Sequence, residues 1–214
     1  MPPKQMITAD AHKVYEQALK FYATLDQLHR TSDVQRITVI GVPMSVLAAF
    51  AAELFLKCLA CLETGSLSRE HLLDNLSDQL SPKTQAIVEK HWDTLNVQNL
   101  EVLDRFDVSL GEKVARDLRS NLTSGRDGFR LLRYVYEGGS DFIFTLGLLP
   151  VALHNSIIEI KPEWLAQSQP VVDKPYAVFG KGEDNAPDLR FAAPAVIDNK
   201  VAAFQWAVRW SANS

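Results

Sequence analysis

The fold of this chain is decided by the stretch Ala51-Ala52-Glu53-Leu54-Phe55-Leu56-Lys57. The predicted helix is apolar on almost every side, and a helix of that kind belongs inside a bundle. Glu53 and Lys57 stand one helical turn apart with the acid first, the favourable order for an ion pair. An ion pair without further function is the simpler interpretation. The alternative is that the pair faces a polar seam between helices and holds an arginine or tyrosine from another element.

The composition is that of an ordinary globular protein with a mildly acidic charge. The 214 residues include 22 lysines and arginines against 26 aspartates and glutamates, for a net charge of -4. A chain of this length can bury one sizeable core and carry a smaller appendage. Because the chain is acidic overall, contact with RNA would require a local basic patch.

The N-terminus and the apolar runs bear on the compartment. Met1-Pro2-Pro3-Lys4 is not followed by the apolar segment of a secretory signal. A membrane-spanning helix needs about 20 apolar residues, and Glu53 and Lys57 would fall near its middle. We therefore predict a cytoplasmic protein that does not enter a membrane.

Apolar residues at helical spacing divide the first 160 residues into a series of helices. Thr8 or Asp10 caps the first, a connector follows over 31–41, and Pro43 suits the first turn of the long central helix. The central helix ends near Thr64, where Gly65 follows it. The predicted bounds are 9–28, 43–64, 82–95, 112–122, 125–137 and 142–158. These segments predict a mainly α-helical, up-and-down bundle over residues 1–160.

Several shorter features complete this prediction. A short helix opens over 66–69, and Ser81 caps the next helix with Pro82 in its first turn. The inward-facing residues of the short helix are Leu72, Leu73, Leu76 and Leu80. Residues 96–111 mix turn formers with apolar residues and receive no assignment, and Pro150 is expected to kink the last helix.

The C-terminal part has a different character. Prolines recur beyond Lys161, which forbids long helices there. Apolar residues alternate with others over 204–210, a pattern typical of a strand, and residues 195–197 can turn back against it as a β-hairpin. A tail lying in a groove of the bundle is the open alternative. We therefore predict a small C-terminal extension over residues 161–214, packed on the bundle.

Cys58 and Cys61 form a C-x-x-C pattern. In redox proteins this pattern begins a helix, where the helix dipole lowers the thiol pKa, but here it lies well inside one. There is no second cysteine pair to complete a zinc site, and the histidines have no metal-ligand spacing. We interpret both cysteines as small core side chains and predict neither a metal site nor a cofactor.

His71 is the histidine in the most informative setting, at the predicted helix start Arg69-Glu70-His71-Leu72-Leu73. An imidazole there can cap the helix, transfer a proton or contact a phosphate. A polar contact between neighbouring helices is the simpler interpretation.

The segment from Lys113 to Arg133 is the one basic concentration in the sequence. Its charged residues are Lys113, Arg116, Asp117, Arg119, Arg126, Asp127, Arg130 and Arg133. Arg126, Arg130 and Arg133 share one helical face, which Glu137 extends, and Tyr134 follows directly. Arginine with tyrosine can bind phosphate and stack on a base. Alternatively, Arg133 pairs with Glu53 or Glu137 while the other bases form a solvated face. Both interpretations stay open.

Three motifs, taken in order, resemble the HEPN superfamily. They are the stretch 51–57, the turn 71–73 with the leucines that follow it, and the segment from Phe129 to Glu137. Related bacterial sequences are expected to show an AAEL-x-LK helix, a GH-x-L turn and an RY-x-YE segment. The match covers roughly residues 43–158 and departs at the middle motif, where Arg69-Glu70 stands in place of glycine. The resemblance implies a bundle of four or five helices that commonly dimerises, so a homodimer is expected.

The resemblance also implies an activity that this sequence does not support. Active HEPN members are metal-independent ribonucleases with an Arg-x4-6-His pair at the dimer seam. There the histidine serves as acid or base for 2′-OH attack, and the arginine stabilises the phosphorane charge. In this chain no arginine is followed by histidine at that spacing, since Gly138, Gly139 and Ser140 occupy the positions after Arg133. Arg133, Tyr134 and Glu137 are therefore motif positions without an assigned chemical role.

We predict a non-catalytic module that binds nucleotide, RNA or a protein partner, within a defence or toxin-antitoxin type of system. The candidate ligand-binding residues are Arg133, Tyr134, Arg130, Glu53, Lys57, His71 and Glu137. One alternative is a divergent metal-independent endoribonuclease in which His71 or Tyr134 replaces the missing histidine. Another is a structural or antitoxin-like interaction protein.

Overall fold

The structure, a computed structural model, describes residues 10–31, 34–110, 113–128, 143–144, 146–167 and 208–209. Within these ranges the protein is mainly α-helical, and eight α-helices have both ends described. They are α1 Ala11–Thr31, α2 Val34–Thr64, α3 Leu73–Asp78, α4 Pro82–Gln98, α5 Leu100–Leu110, α6 Leu118–Ser124, α7 Leu149–Ile160 and α8 Glu163–Gln167. A short 3-10 helix, Leu146–Leu148, leads directly into α7.

Helix α2 is the centre of the described fold. α1 packs against it most extensively, and α3 and α7 also contact it. Phe55, Leu56 and Leu59 are fully buried, and so are Ala51 and Ala52, whose small side chains let neighbouring helices approach closely. Burying a side chain as large as phenylalanine stabilises a fold by about 2–3 kcal/mol. The prediction that this helix lies inside the protein is confirmed.

The same helix is the one described segment that is long and apolar enough to cross a membrane. This segment is Gly41–Thr64, and 72% of its most apolar window is buried inside the fold. The core helix of a soluble protein satisfies the same criterion, so the segment is weak evidence in either direction. The cytoplasmic location stays a prediction.

The beginning of α2 differs from the sequence prediction. The helix already starts at Val34, so residues 34–41 are helical rather than a connector, and Pro43 lies inside the helix. The β-branched residues of this segment have a weak preference against helix, which tertiary context readily overrides. The Ser45 hydroxyl donates to the Gly41 carbonyl at 2.9 Å, close to the proline, whose own nitrogen cannot donate.

The short helix predicted to open over 66–69 begins later. Residues 67–72 lie outside helix and strand, and α3 starts at Leu73, whose backbone nitrogen donates to the Arg126 carbonyl at 3.0 Å. This donor finds its partner in a distant part of the chain, which no local pattern can show. Leu76 and Leu80 are buried as predicted.

The predicted helix caps that can be checked are confirmed. Asp10 accepts from the His12 backbone nitrogen at 3.0 Å, and Ser81 accepts from the Thr84 nitrogen at 3.4 Å with Pro82 in the first turn. Gly65 ends α2 with a φ of 69°, a left-handed conformation that glycine adopts without strain.

Other predicted bounds were wrong or incomplete. α6 starts only after Asp117, which caps it by accepting from the Ser120 nitrogen at 2.7 Å. The unassigned region contains α5. α7 starts at Leu149, so Pro150 lies in its first turn and is not a kink. Most of the helix predicted over 125–137 lies outside the described residues.

Little of the C-terminal extension is described. Its first helix, α8, buries Trp164 against α1, 4.9 Å from the His12 ring and 5.2 Å from the Tyr15 ring. Strand β2, Val208–Arg209, pairs antiparallel with β1, Ile143–Phe144. Residues 195–197 lie outside the described ranges, so the hairpin and the division at residue 160 stay predictions.

A buried histidine joins three helices. His154 of α7 stacks at 5.8 Å on the Tyr15 ring and at 6.2 Å on the Tyr22 ring, both from α1, and Phe55 of α2 lies 6.0 Å away. The Tyr15 hydroxyl lies 3.3 Å from His154 Nδ1. Burial disfavours the charged imidazole and lowers the pKa of His154 to about 4.

We predict that acid destabilises the fold through His154. The unfolded chain takes up a proton near pH 6.5, whereas the folded chain keeps this imidazole neutral down to about pH 4. Stability is therefore complete above pH 6.5 and falls between these values, by up to about 3 kcal/mol. Urea unfolding at several pH values should show a shallower decline for His154→Phe. Equal slopes for His154→Phe and the wild type would contradict the prediction.

Candidate functional site

Glu53, Lys57 and His71 form a compact charged cluster between α2 and the loop 67–72. The Lys57 Nζ atom lies 2.8 Å from Glu53 Oε1, and His71 Nδ1 lies 2.9 Å from the same oxygen. Lys57 Nζ and His71 Nδ1 are 3.4 Å apart. The structure thus brings together three of the predicted site residues, from two of the three motifs.

The cluster is buried at one end and open at the other. The Glu53 and Lys57 side chains are 4% and 9% exposed, whereas the His71 side chain is 72% exposed. A carboxylate oxygen only accepts, so the arrangement is consistent with His71 Nδ1 donating to Glu53. The Nε2 atom of the same ring is then the group available to a ligand from solvent.

The described partners of Lys57 leave part of its hydrogen-bonding capacity unused. An ammonium group carries three donors, and its one carboxylate partner among the described residues is Glu53. If His71 Nδ1 carries a proton, the Lys57–His71 approach joins two donors and satisfies neither. A nearly buried ammonium with donors left over is a favourable place for an anionic oxygen.

Glu70 holds the loop that carries His71. Its Oε1 atom accepts from the backbone nitrogens of His71 at 2.8 Å and Leu72 at 3.0 Å, and Oε2 accepts from Asn75 Nδ2 at 3.0 Å. These hydrogen bonds, led by that from Leu72, lower the pKa of Glu70 to about 2. Sequence reasoning missed this role and registered Glu70 only as a departure from the family pattern. The available signal was an acidic residue directly before an exposed loop turn.

The arginines of the basic segment are largely matched by aspartates where they are described. Arg116 pairs with Asp107 and, at 3.3 Å, with Asp104. Arg119 pairs with Asp78, and Arg126 Nε lies 3.7 Å from Asp74 Oδ2. The described part of the segment is therefore not a continuous cationic surface, and both interpretations of Arg133 stay open. The remaining predicted site residues, Arg130, Arg133, Tyr134 and Glu137, lie outside the described residues.

The cysteines have the surroundings of core side chains. Cys58 and Cys61 are both buried, and burial raises the pKa of each thiol. The Cys58 thiol lies 3.4 Å from the Ala11 carbonyl. A raised thiol pKa suppresses the nucleophilic thiolate, so this geometry does not favour redox chemistry. In the part of the chain that the structure describes, no three His, Cys, Asp or Glu side chains are grouped to hold a metal ion.

Comparisons of the chain with protein-family models, with curated proteins and with solved structures give no match. The assignment to the HEPN superfamily therefore depends on the order of the three motifs and stays a proposal.

We predict that removing one member of the buried ion pair destabilises the protein strongly. In Lys57→Met the buried Glu53 carboxylate keeps only the exposed His71 imidazole as its partner. The free energy of unfolding should therefore fall by about 3 kcal/mol. The double variant Glu53→Leu/Lys57→Met removes both charges and should recover most of that loss. Urea denaturation at pH 7 measures the free energy of unfolding of the wild type, of Lys57→Met and of the double variant.

The surface supplies a matched control. Lys90 and Glu159 form an exposed pair of the same residue types, and Lys90→Met should cost less than about 1 kcal/mol. A double variant at positions 53 and 57 as unstable as Lys57→Met alone would contradict a buried electrostatic pair.

Proposed function

We propose that this protein is a HEPN-like, up-and-down helical module that binds a phosphate-bearing ligand, a nucleotide or RNA, without catalysing its conversion. The binding site is the Glu53–Lys57–His71 cluster. One observation carries the proposal: a nearly buried ammonium, whose donors are not all used by the described residues, lies next to an imidazole that faces solvent. The homodimer, the additional protein partner, and a place in a defence or toxin-antitoxin system belong to the same proposal and depend on the family resemblance.

The chemistry of the cluster suits a phosphate oxygen. Lys57 Nζ can donate to one oxygen, and a protonated His71 can donate through Nε2 to another. Glu53 keeps both donors in place and accepts from each. With the imidazole protonated, the positive charges of Lys57 and His71 are balanced by the Glu53 carboxylate and the neighbouring Glu70 carboxylate, so the cluster would hold an anion through directed hydrogen bonds rather than through net charge.

We predict saturable binding of phosphate-bearing ligands to the purified protein. Isothermal titration with inorganic phosphate, nucleoside mono- and triphosphates and short RNA oligonucleotides would measure it. His71→Ala should weaken the affinity about tenfold, the effect of losing one charge-assisted hydrogen bond. Arg133→Ala tests in the same titration whether the third motif extends the site.

The matched control is His91→Ala. His91 also contacts a glutamate next to a lysine, with its Nε2 atom 2.8 Å from Glu159 Oε2, but on the surface between α4 and α7. This variant should bind as the wild type does. No saturable binding to any of these ligands, or equal losses in both histidine variants, would argue against the proposed site.

A divergent metal-independent endoribonuclease is the second candidate, and one contact favours it. A carboxylate on Nδ1 of an imidazole orients the ring and leaves Nε2 as a general acid or base, which is how Glu53 meets His71. If no chemistry and no ligand are involved, the motifs only stabilise the fold, as in a structural or antitoxin-like partner.

The two candidates make opposite predictions for RNA. For a binding module, incubation with mixed RNA should leave the RNA intact with and without EDTA. Cleavage that persists in EDTA, disappears in His71→Ala and survives in His91→Ala would instead establish the ribonuclease, because only a reactive His71 gives that combination.

A further inference from the structure

The loop that presents His71 has little regular structure of its own. Residues 67–72 lie outside helix and strand, yet the imidazole must sit on Glu53 for the cluster to exist. An exposed histidine in an unsupported loop would sample several rotamers, and fixing them on ligand binding would reduce affinity. Something other than the loop's secondary structure must therefore hold this backbone.

We propose that Glu70 is a positioning residue for the site, whose carboxylate fixes the backbone at His71 so that the imidazole stands on Glu53 with Nε2 facing outward. One Glu70 oxygen accepts from the two consecutive nitrogens of His71 and Leu72, which constrains the peptide planes on both sides of His71. Its effect on ligand affinity rests on the proposed function, whereas its effect on the ring itself does not.

The hydrogen bonds of Glu70 serve the loop rather than the helix that follows. Leu72 is the N-cap of α3, without a side-chain hydrogen bond, and both backbone donors to Glu70 precede the first helical residue, Leu73. At α4 the situation is different, because the Ser81 hydroxyl accepts from Thr84 within the helix itself. If Glu70 only capped α3, its carboxylate would accept from backbone nitrogens inside that helix.

The other Glu70 oxygen connects the loop to the core. It accepts from Asn75 Nδ2 on α3, and α3 is anchored by the buried Leu73 and Leu76. The Glu70 nitrogen in turn donates to Ser68 Oγ at 3.1 Å. The buried leucines thus fix α3, α3 fixes the Glu70 carboxylate through Asn75, and the carboxylate fixes the backbone of His71.

The test compares Glu70→Ala and Glu70→Gln with the wild type. Nitrogen NMR of the imidazole side chains reports the tautomer and mobility of His71, and titration reports affinity for inorganic phosphate and nucleotides. In Glu70→Ala we expect the Nδ1-protonated signal of His71 to average with that of other states and the affinity to fall about tenfold. Glu70→Gln keeps an acceptor oxygen and should retain affinity within about threefold.

Glu63→Ala is the matched control. Glu63 also accepts from a backbone nitrogen and a side chain at a helix start, those of Ser81, at 2.9 Å and 2.6 Å. Its loss should lower the melting temperature without changing the His71 signal. The proposal is overturned if Glu70→Ala folds with the His71 signal unchanged. If Glu70→Ala is unfolded, Glu70→Gln decides instead: the proposal is overturned if this variant, which keeps an acceptor oxygen, folds and averages the His71 signal. If the wild type binds no ligand, the proposed function fails, and the His71 signal still decides the role of Glu70.

Discussion

The ion pair between Glu53 and Lys57 is the constraint on which the rest of the site depends. Both groups lie within the long apolar helix α2 and are almost fully removed from water. Desolvating two charges costs several kcal/mol by order of magnitude, and their attraction recovers this only when the geometry is good and the remaining donors and acceptors find partners. The pair is therefore weak evidence for stability but a strict condition on geometry. Glu53 Oε1 accepts a second hydrogen bond, from His71, and so brings the imidazole to the same point.

The sequence predicted correctly those features of the fold that depend on neighbouring residues in the chain. The apolar surroundings of Phe55 and Leu56 correctly indicated a buried helix, and Gly65 and Ser81 marked a helix end and a helix start. The errors arose where distant contacts decide. α3 begins at Leu73, whose nitrogen donates to the carbonyl of the distant Arg126, and Pro43 lies inside a helix that it was expected to begin. Neither outcome has a signature within a short window of sequence.

The candidate site shows the same division. The spacing of Glu53 and Lys57 places both on one side of a helix, and the motif order singled out His71, so their meeting could be anticipated. Charges counted along the chain are less informative. Arg116, Arg119 and Arg126 belong to the basic segment of the sequence, and aspartates of α3 and α5 lie beside them in space. Net charge along a segment predicts a surface only when its neighbours across the fold are known.

Binding and catalysis would use the same three side chains, but they require different states of one atom. His71 Nε2 can hold an anion only when it carries a proton to donate. To remove a proton from a 2′-OH, the same nitrogen must instead be unprotonated and offer its lone pair. Phosphodiester cleavage further needs a second group to protonate the leaving oxygen, and the family's arginine–histidine pair, which the resemblance associates with this chemistry, is missing after Arg133. The described partners of Lys57 leave donors that could hold a bound anion. The geometry of the described residues is thus compatible with the proposed binding, while cleavage would require an additional group that protonates the leaving oxygen.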